Sequence, residues 1–186
     1  MDDPSNTGLL QSKITPRKIS LIAILTATAI ATNYMLIGVV NIKFMDIIVF
    51  TSGYLMGSSL GAFTGGLVWL VYGIINPYGF SLPVFISTVT GEALFGVAGG
   101  LFSGKHTSDG TGFDPWLAVT GFLLTLIYDL FTNIVSGLTV GIPIALALVT
   151  GIPFSLTHML SNAIFFGFGF KPLVNSINKV MKNEDR

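Results

Sequence analysis

A bundle of six membrane-spanning helices is the fold this sequence predicts, and three observations carry the prediction. Only 10% of the 186 residues are Asp, Glu, Lys or Arg, against about a quarter in a soluble domain. Long apolar segments follow one another with short polar breaks, and the mean hydropathy is +0.77. The cations sort to one side of the membrane only if the chain crosses six times. The fold class is therefore all-α, an integral membrane protein. At roughly 20 residues per crossing, six helices with short loops fill the chain and leave no second domain.

Met1 to Ser12 carries two Asp followed by Pro, Ser, Asn and Gly. It reads as a disordered polar tail, without the basic start of a secretory signal. Residues 13–174 are expected to form the membrane domain and 175–186 a polar, basic C-terminal extension. Helix one runs from Ile19 to Val40, too long for a signal core. The next apolar segment, Asp46 to Ile75, would be about 45 Å long as one helix, too long for one upright crossing and short for two. A tight turn at Gly57-Ser58-Ser59-Leu60 makes it a hairpin of two short helices. Lys13, Arg17, Lys18, Lys105, Lys171, Lys179, Lys182 and Arg186 then share one side and Lys43 alone takes the other. A single crossing would violate the positive-inside rule in either orientation. Both termini are accordingly expected in the cytoplasm of a plasma-membrane protein. Helices four, five and six follow at Leu82 to Phe102, Trp116 to Leu138 and Ile142 to Val174.

Small residues mark two faces. Gly53, Gly57, Gly61 and Gly65 recur every four residues through the hairpin, a spacing that lets backbones approach closely, with a hinge as the competing explanation. Ala23, Ala27 and Ala31 form a stripe on helix one, with Thr28 and Thr32 beside it. The stripe either packs inside the chain or docks on a separate membrane subunit.

Glu92, Asp129 and His158 each lie well inside an apolar segment of the second half. Such residues are costly in hydrocarbon; they either glue helices together as pairs or face a ligand pocket or pathway. Asp129 and Asn133 share a face of helix five, and Ser155, His158 and Asn162 share a face of helix six. Periodicity leaves Tyr128 open to either lipid or pocket. Two acids, one His and no intramembrane Lys or Arg point away from a strongly anionic ligand. They favour a cationic compound or a neutral heterocycle stacking on Tyr78, Tyr128 or Phe165.

The chain has no cysteine, so disulfides and cysteine metal clusters are excluded. Its net charge is zero and its few charges sit at segment ends, giving no nucleic-acid patch. No zinc-protease, nucleophile-elbow or phosphate-loop motif is present. No catalytic residue, metal or cofactor is therefore expected, and any ATP hydrolysis falls to other subunits.

This arrangement resembles the substrate-binding S components of energy-coupling factor (ECF) transporters. The resemblance rests on the alanine stripe, the stretch Asn41-Ile42-Lys43-Phe44-Met45-Asp46 ahead of the glycine series, and the elements Asp129-x-x-x-Asn133 and His158-x-x-x-Asn162, within residues 13–174. It implies high-affinity capture of a vitamin or related micronutrient, with Glu92, Tyr128, Asp129, Asn133, His158 and Asn162 as ligand contacts together with Asn76 and Tyr78 of the outer loop. It also implies docking through Ala23, Ala27 and Ala31 onto a membrane coupling (T) protein that works with two cytoplasmic ATPases. The outer loop from Val40 to Met45 is short for a lid, which shifts that role to Asn76 to Ser81. The rival reading is a stand-alone ion-coupled transporter or channel with Glu92, Asp129 and His158 as a proton relay.

Overall fold

A computed structural model describes residues 14–75, 77, 79–104 and 112–183, with side chains to residue 181. The expected N-terminal tail, Asn76, Tyr78 and the middle of the polar loop after helix four lie outside the described residues. The described chain is entirely helical apart from its connections. Its elements are α1 (Pro16–Met35), α2 (Met45–Met56), α3 (Ser58–Ile75), α4 (Leu82–Phe102), α5 (Pro115–Val140), α6 (Ile144–Ile164), a π-helical turn (Phe165–Gly169) and α7 (Phe170–Asn183). The last three run on as one rod. It continues past the expected end at Val174 and, at about 57 Å from Ile144 to Met181, is longer than a hydrocarbon core.

Local chemistry explains where α1 lies. The Thr15 hydroxyl accepts the Lys18 N–H and Pro16 takes the first helical position, a strong start signal ahead of the apolar run. The helix thus begins before Ile19 and stops at Met35 rather than Val40, so the connection to α2 covers residues 36–44 and is longer than expected. Asn41 holds the left-handed conformation within it, φ 50°, and its side chain donates to the Phe154 carbonyl of α6 at 2.9 Å. The hairpin breaks at Gly57, whose φ of 96° favours glycine. Of its two helices α3 reaches spanning length. The deficit falls on α2, whose 12 residues rise only about 18 Å.

Helix direction alternates along the chain. The C-terminal parts of α1, α3 and α5, the residues leading into α2, and side chains from the first halves of α4 and α6 all surround one cavity. At the opposite end Asp114 caps α5 by accepting from the Trp116 and Leu117 N–H groups, and it pairs with Lys171 at 3.2 Å. α2 is thus a short traverse among five long ones.

Glycines hold the shielded centre of the bundle together. A Cβ on Gly53 would lie 1.9 Å from the Gly96 carbonyl oxygen, one on Gly61 2.4 Å from the Gly53 Cα, and one on Gly99 1.9 Å from the Phe50 carbonyl oxygen. Backbones of α2, α3 and α4 are in direct contact at these points. Three members of the glycine series, Gly53, Gly61 and Gly65, therefore serve close packing, and Gly57 serves the turn.

Gly96→Ala is expected to destabilise the protein by about 2 kcal/mol or more, because its methyl meets the backbone of Gly61 and Ala62. Gly66→Ala, which points into open space, is expected to stay within about 1 kcal/mol of wild type. Thermal unfolding of both variants in detergent, followed by gel filtration, checks the contrast.

Candidate functional site

Because α2 is short, its first turn starts deep in the bundle. Asp46 stands in that turn, fully buried, where a carboxylate also benefits from the positive end of the helix dipole. Glu92 lies about 15 Å along α4 from Leu82, and Asp129 about 16 Å back along α5 from Val140. All three carboxyl groups thus gather near mid-depth.

His158 of α6 joins two of them. Its Nε2 lies 2.7 Å from Asp46 Oδ2 and its Nδ1 lies 3.0 Å from Asp129 Oδ1. A neutral imidazole has one N–H, so closing both contacts requires two mobile protons, held as an imidazolium or as a neutral ring with a protonated carboxyl. Asn162, one turn further along α6, donates to Asp46 Oδ2 at 2.5 Å and to Thr125 Oγ1 at 2.7 Å. α2, α5 and α6 are thereby tied at one point. On the other flank, Trp69 Nε1 of α3 donates to Glu92 Oε2 of α4 at 3.2 Å. Tyr128 stands edge-on to the His158 ring with centroids 5.8 Å apart, in space left by Gly91. Among the described residues, Asp46 Oδ1, Glu92 Oε1, Tyr128 Oη, Asp129 Oδ2 and Asn162 Oδ1 are buried oxygens without a hydrogen-bond partner.

Above this cluster is a cavity of about 830 Å³, within the usual range for small-molecule sites. Its wall combines aromatic surface from Trp69, Tyr72, Phe85 and Tyr128 with polar groups of Asn33, Thr88, Thr132, Asn133 and Ser136. The connection 36–43 forms one side, irregular backbone that a membrane protein tolerates where it borders a cavity. Gly79, Phe80 and Ser81 contribute as well, so the connections from α1 to α2 and from α3 to α4 both border the opening.

The expected contacts separate into two layers. Tyr128, Asp129 and Asn133 line the cavity, which places Tyr128 in the pocket rather than in lipid. Glu92, His158 and Asn162 are fully buried outside the cavity wall, in the hydrogen-bonded layer. Phe165 packs on Phe44 instead of lining the cavity. Asn76 and Tyr78 lie outside the described residues. Two residues of the site were missed in the sequence, Asp46 and Lys43. The signal for both was the length of the second apolar segment, since a helix too short to span must begin below the surface and take its first residues inside. Lys43 extends into the cavity, its Nζ 5.2 Å from the Tyr128 ring centroid and 5.6 Å from that of Trp69. The premise of a membrane interior without lysine is therefore corrected. Among the described residues, no group of three or more His, Asp or Glu is arranged to hold a metal ion.

Ala23, Ala27 and Ala31 are exposed on the outer surface of α1, while Ile22, Leu25, Thr26 and Ala29 turn inward. Among the described residues, nothing packs over the stripe. No protein-family model, curated protein or solved structure matches this sequence.

Asp46→Ala would leave His158 and Asn162 facing a buried gap and is expected to cost about 3 kcal/mol. Asn133→Ala removes only the 3.2 Å bond to Ser155 and is expected to cost about 1 kcal/mol or less. Unfolding midpoints in a denaturing-detergent titration compare the two.

Proposed function

We propose that this multi-pass membrane protein is the substrate-binding S component of an ECF-type importer, capturing a small micronutrient in the cavity above the Asp46–His158–Asp129 cluster. The observation that carries this reading is the cavity itself. It combines aromatic surface, convergent polar groups and a rigid polar floor, the features of a site built to orient one small molecule. The described cations favour an outward-facing mouth: among them Arg17, Lys18, Lys171 and Lys179 belong to the closed end and Lys43 alone to the cavity. The chain would be a binding subunit and not an enzyme, with ATP hydrolysed by two separate cytoplasmic subunits and force passed through a membrane coupling protein. The unused face of Ala23, Ala27 and Ala31 suits such a partner, since small residues let a second helix approach closely.

A second reading has one observation in its favour. The chain Asp46–His158–Asp129 is a continuous hydrogen-bonded path that could relay protons in a stand-alone ion-coupled transporter. Uptake by the protein alone in vesicles, abolished by collapse of the proton gradient, would favour it.

Pull-down of the tagged protein from its native membranes in mild detergent is expected to recover a coupling protein and ATPases. Ala27→Leu, whose bulk spoils close helix contact, is expected to lose them while remaining folded. Absence of these partners from both samples would contradict the importer reading.

A further inference from the structure

Lys43 and Asp129 are the one basic and the one acidic side chain on the described cavity wall, and they are committed to different degrees. Asp129 already holds His158 through Oδ1. Lys43 has ring faces on two sides and no ion pair with a described carboxylate. An ammonium confined between Trp69 and Tyr128 keeps its N–H groups available to an acceptor brought in from outside. α2 begins two residues later without a side-chain cap, so the positive end of its dipole lies on the same side.

Building on the binding-subunit reading above, we propose that the cavity selects a flat aromatic monoanion. Its single carboxylate pairs with Lys43, its ring lies along Trp69 and Tyr128, and its N–H or O–H donors reach Asp129 and Asn133. The single point charge of one ammonium, with no arginine fork beside it, balances one negative charge and would leave a phosphate dianion half compensated. The two aromatic rings beside it supply a stacking surface that a flexible aliphatic acid would not use. The competing role for Lys43 is that of a fixed counter-charge to the carboxyl groups of the buried cluster. In that case its loss would change stability and leave selection between charged and uncharged ligands untouched.

The test uses the full chain in lipid nanodiscs, with Trp116→Phe so that Trp69 is the single indole. Fluorine resonance of 5-fluorotryptophan at position 69 then reports binding of two matched probes, 4-aminobenzoate and its uncharged amide, 4-aminobenzamide. The acid is expected to bind roughly tenfold or more tightly than the amide. Lys43→Gln is expected to erase that preference and Lys43→Arg to retain most of it. If the amide binds as well as the acid to the wild-type residue, the cavity is a binding site but the monoanion assignment fails. Preference for the acid that survives Lys43→Gln assigns selectivity elsewhere and overturns the proposal. Silence of the Trp69 resonance with both probes overturns it too, and leaves the wider reading to the pull-down. The wild-type comparison of acid with amide holds even if a Lys43 variant fails to fold.

Discussion

Asp46 is hydrogen-bonded to His158 and accepts from Asn162 where α2, α5 and α6 converge, and the rest of the architecture follows from keeping that carboxyl group out of lipid. In hydrocarbon there is no water to satisfy an exposed acid, so its partners must come from the protein. Asp46 is in the first turn of its helix, so the helix has to begin at the depth of those partners. A helix that begins there is short. The chain from Met35 to Met45 must then descend through the bundle without regular structure, and it can do so only beside a cavity.

The same constraint explains the glycines. A short α2 must be covered by neighbours along its length, and direct backbone contact of α2 and α3 with α4 at Gly53, Gly61, Gly96 and Gly99 provides that cover. The tightly packed half of the molecule, α2 to α4, and the hydrogen-bonded seam of α5 and α6 together make a stiff floor. The wall above it is built from the 36–43 connection, the ends of α3 and α5 and the start of α4. The lower surface is thus held by hydrogen bonds and close packing before a ligand arrives, and such pre-organisation limits the entropic cost of capture.

Much of this was legible in the sequence, and the parts that were not share a cause. Apolar segments, the Gly57 break and the direction of the helices follow from local composition and charge, which are properties of short windows. Glu92, Asp129 and His158 stood out because each interrupts an apolar helix. Asp46 and Lys43 did not stand out, because they border a segment, and segment borders are normally at the water interface. Only the length argument, carried one step further, would have placed them inside. The layering of Glu92, His158 and Asn162 below Tyr128, Asp129 and Asn133 depends on which neighbouring helix each face meets. Periodicity along one helix carries no such information. The outward face of Ala23, Ala27 and Ala31 was likewise undetermined until the inward face of α1 was seen to use Ile22, Leu25 and Ala29.

The central claim is that water and small molecules reach mid-depth along one wall of the bundle. Because the natural chain has no cysteine, single cysteines test it cleanly, since a maleimide reacts with the thiolate and a thiol facing lipid scarcely ionises. Thr132 borders the cavity and its neighbour Phe131 is exposed on the outer face of the same helix at the same depth. Labelling of Thr132→Cys, but not of Phe131→Cys, by a membrane-impermeant charged maleimide in sealed vesicles is the expected result. Equal protection of both positions, or equal labelling, would contradict an aqueous cavity above the Asp46–His158–Asp129 cluster.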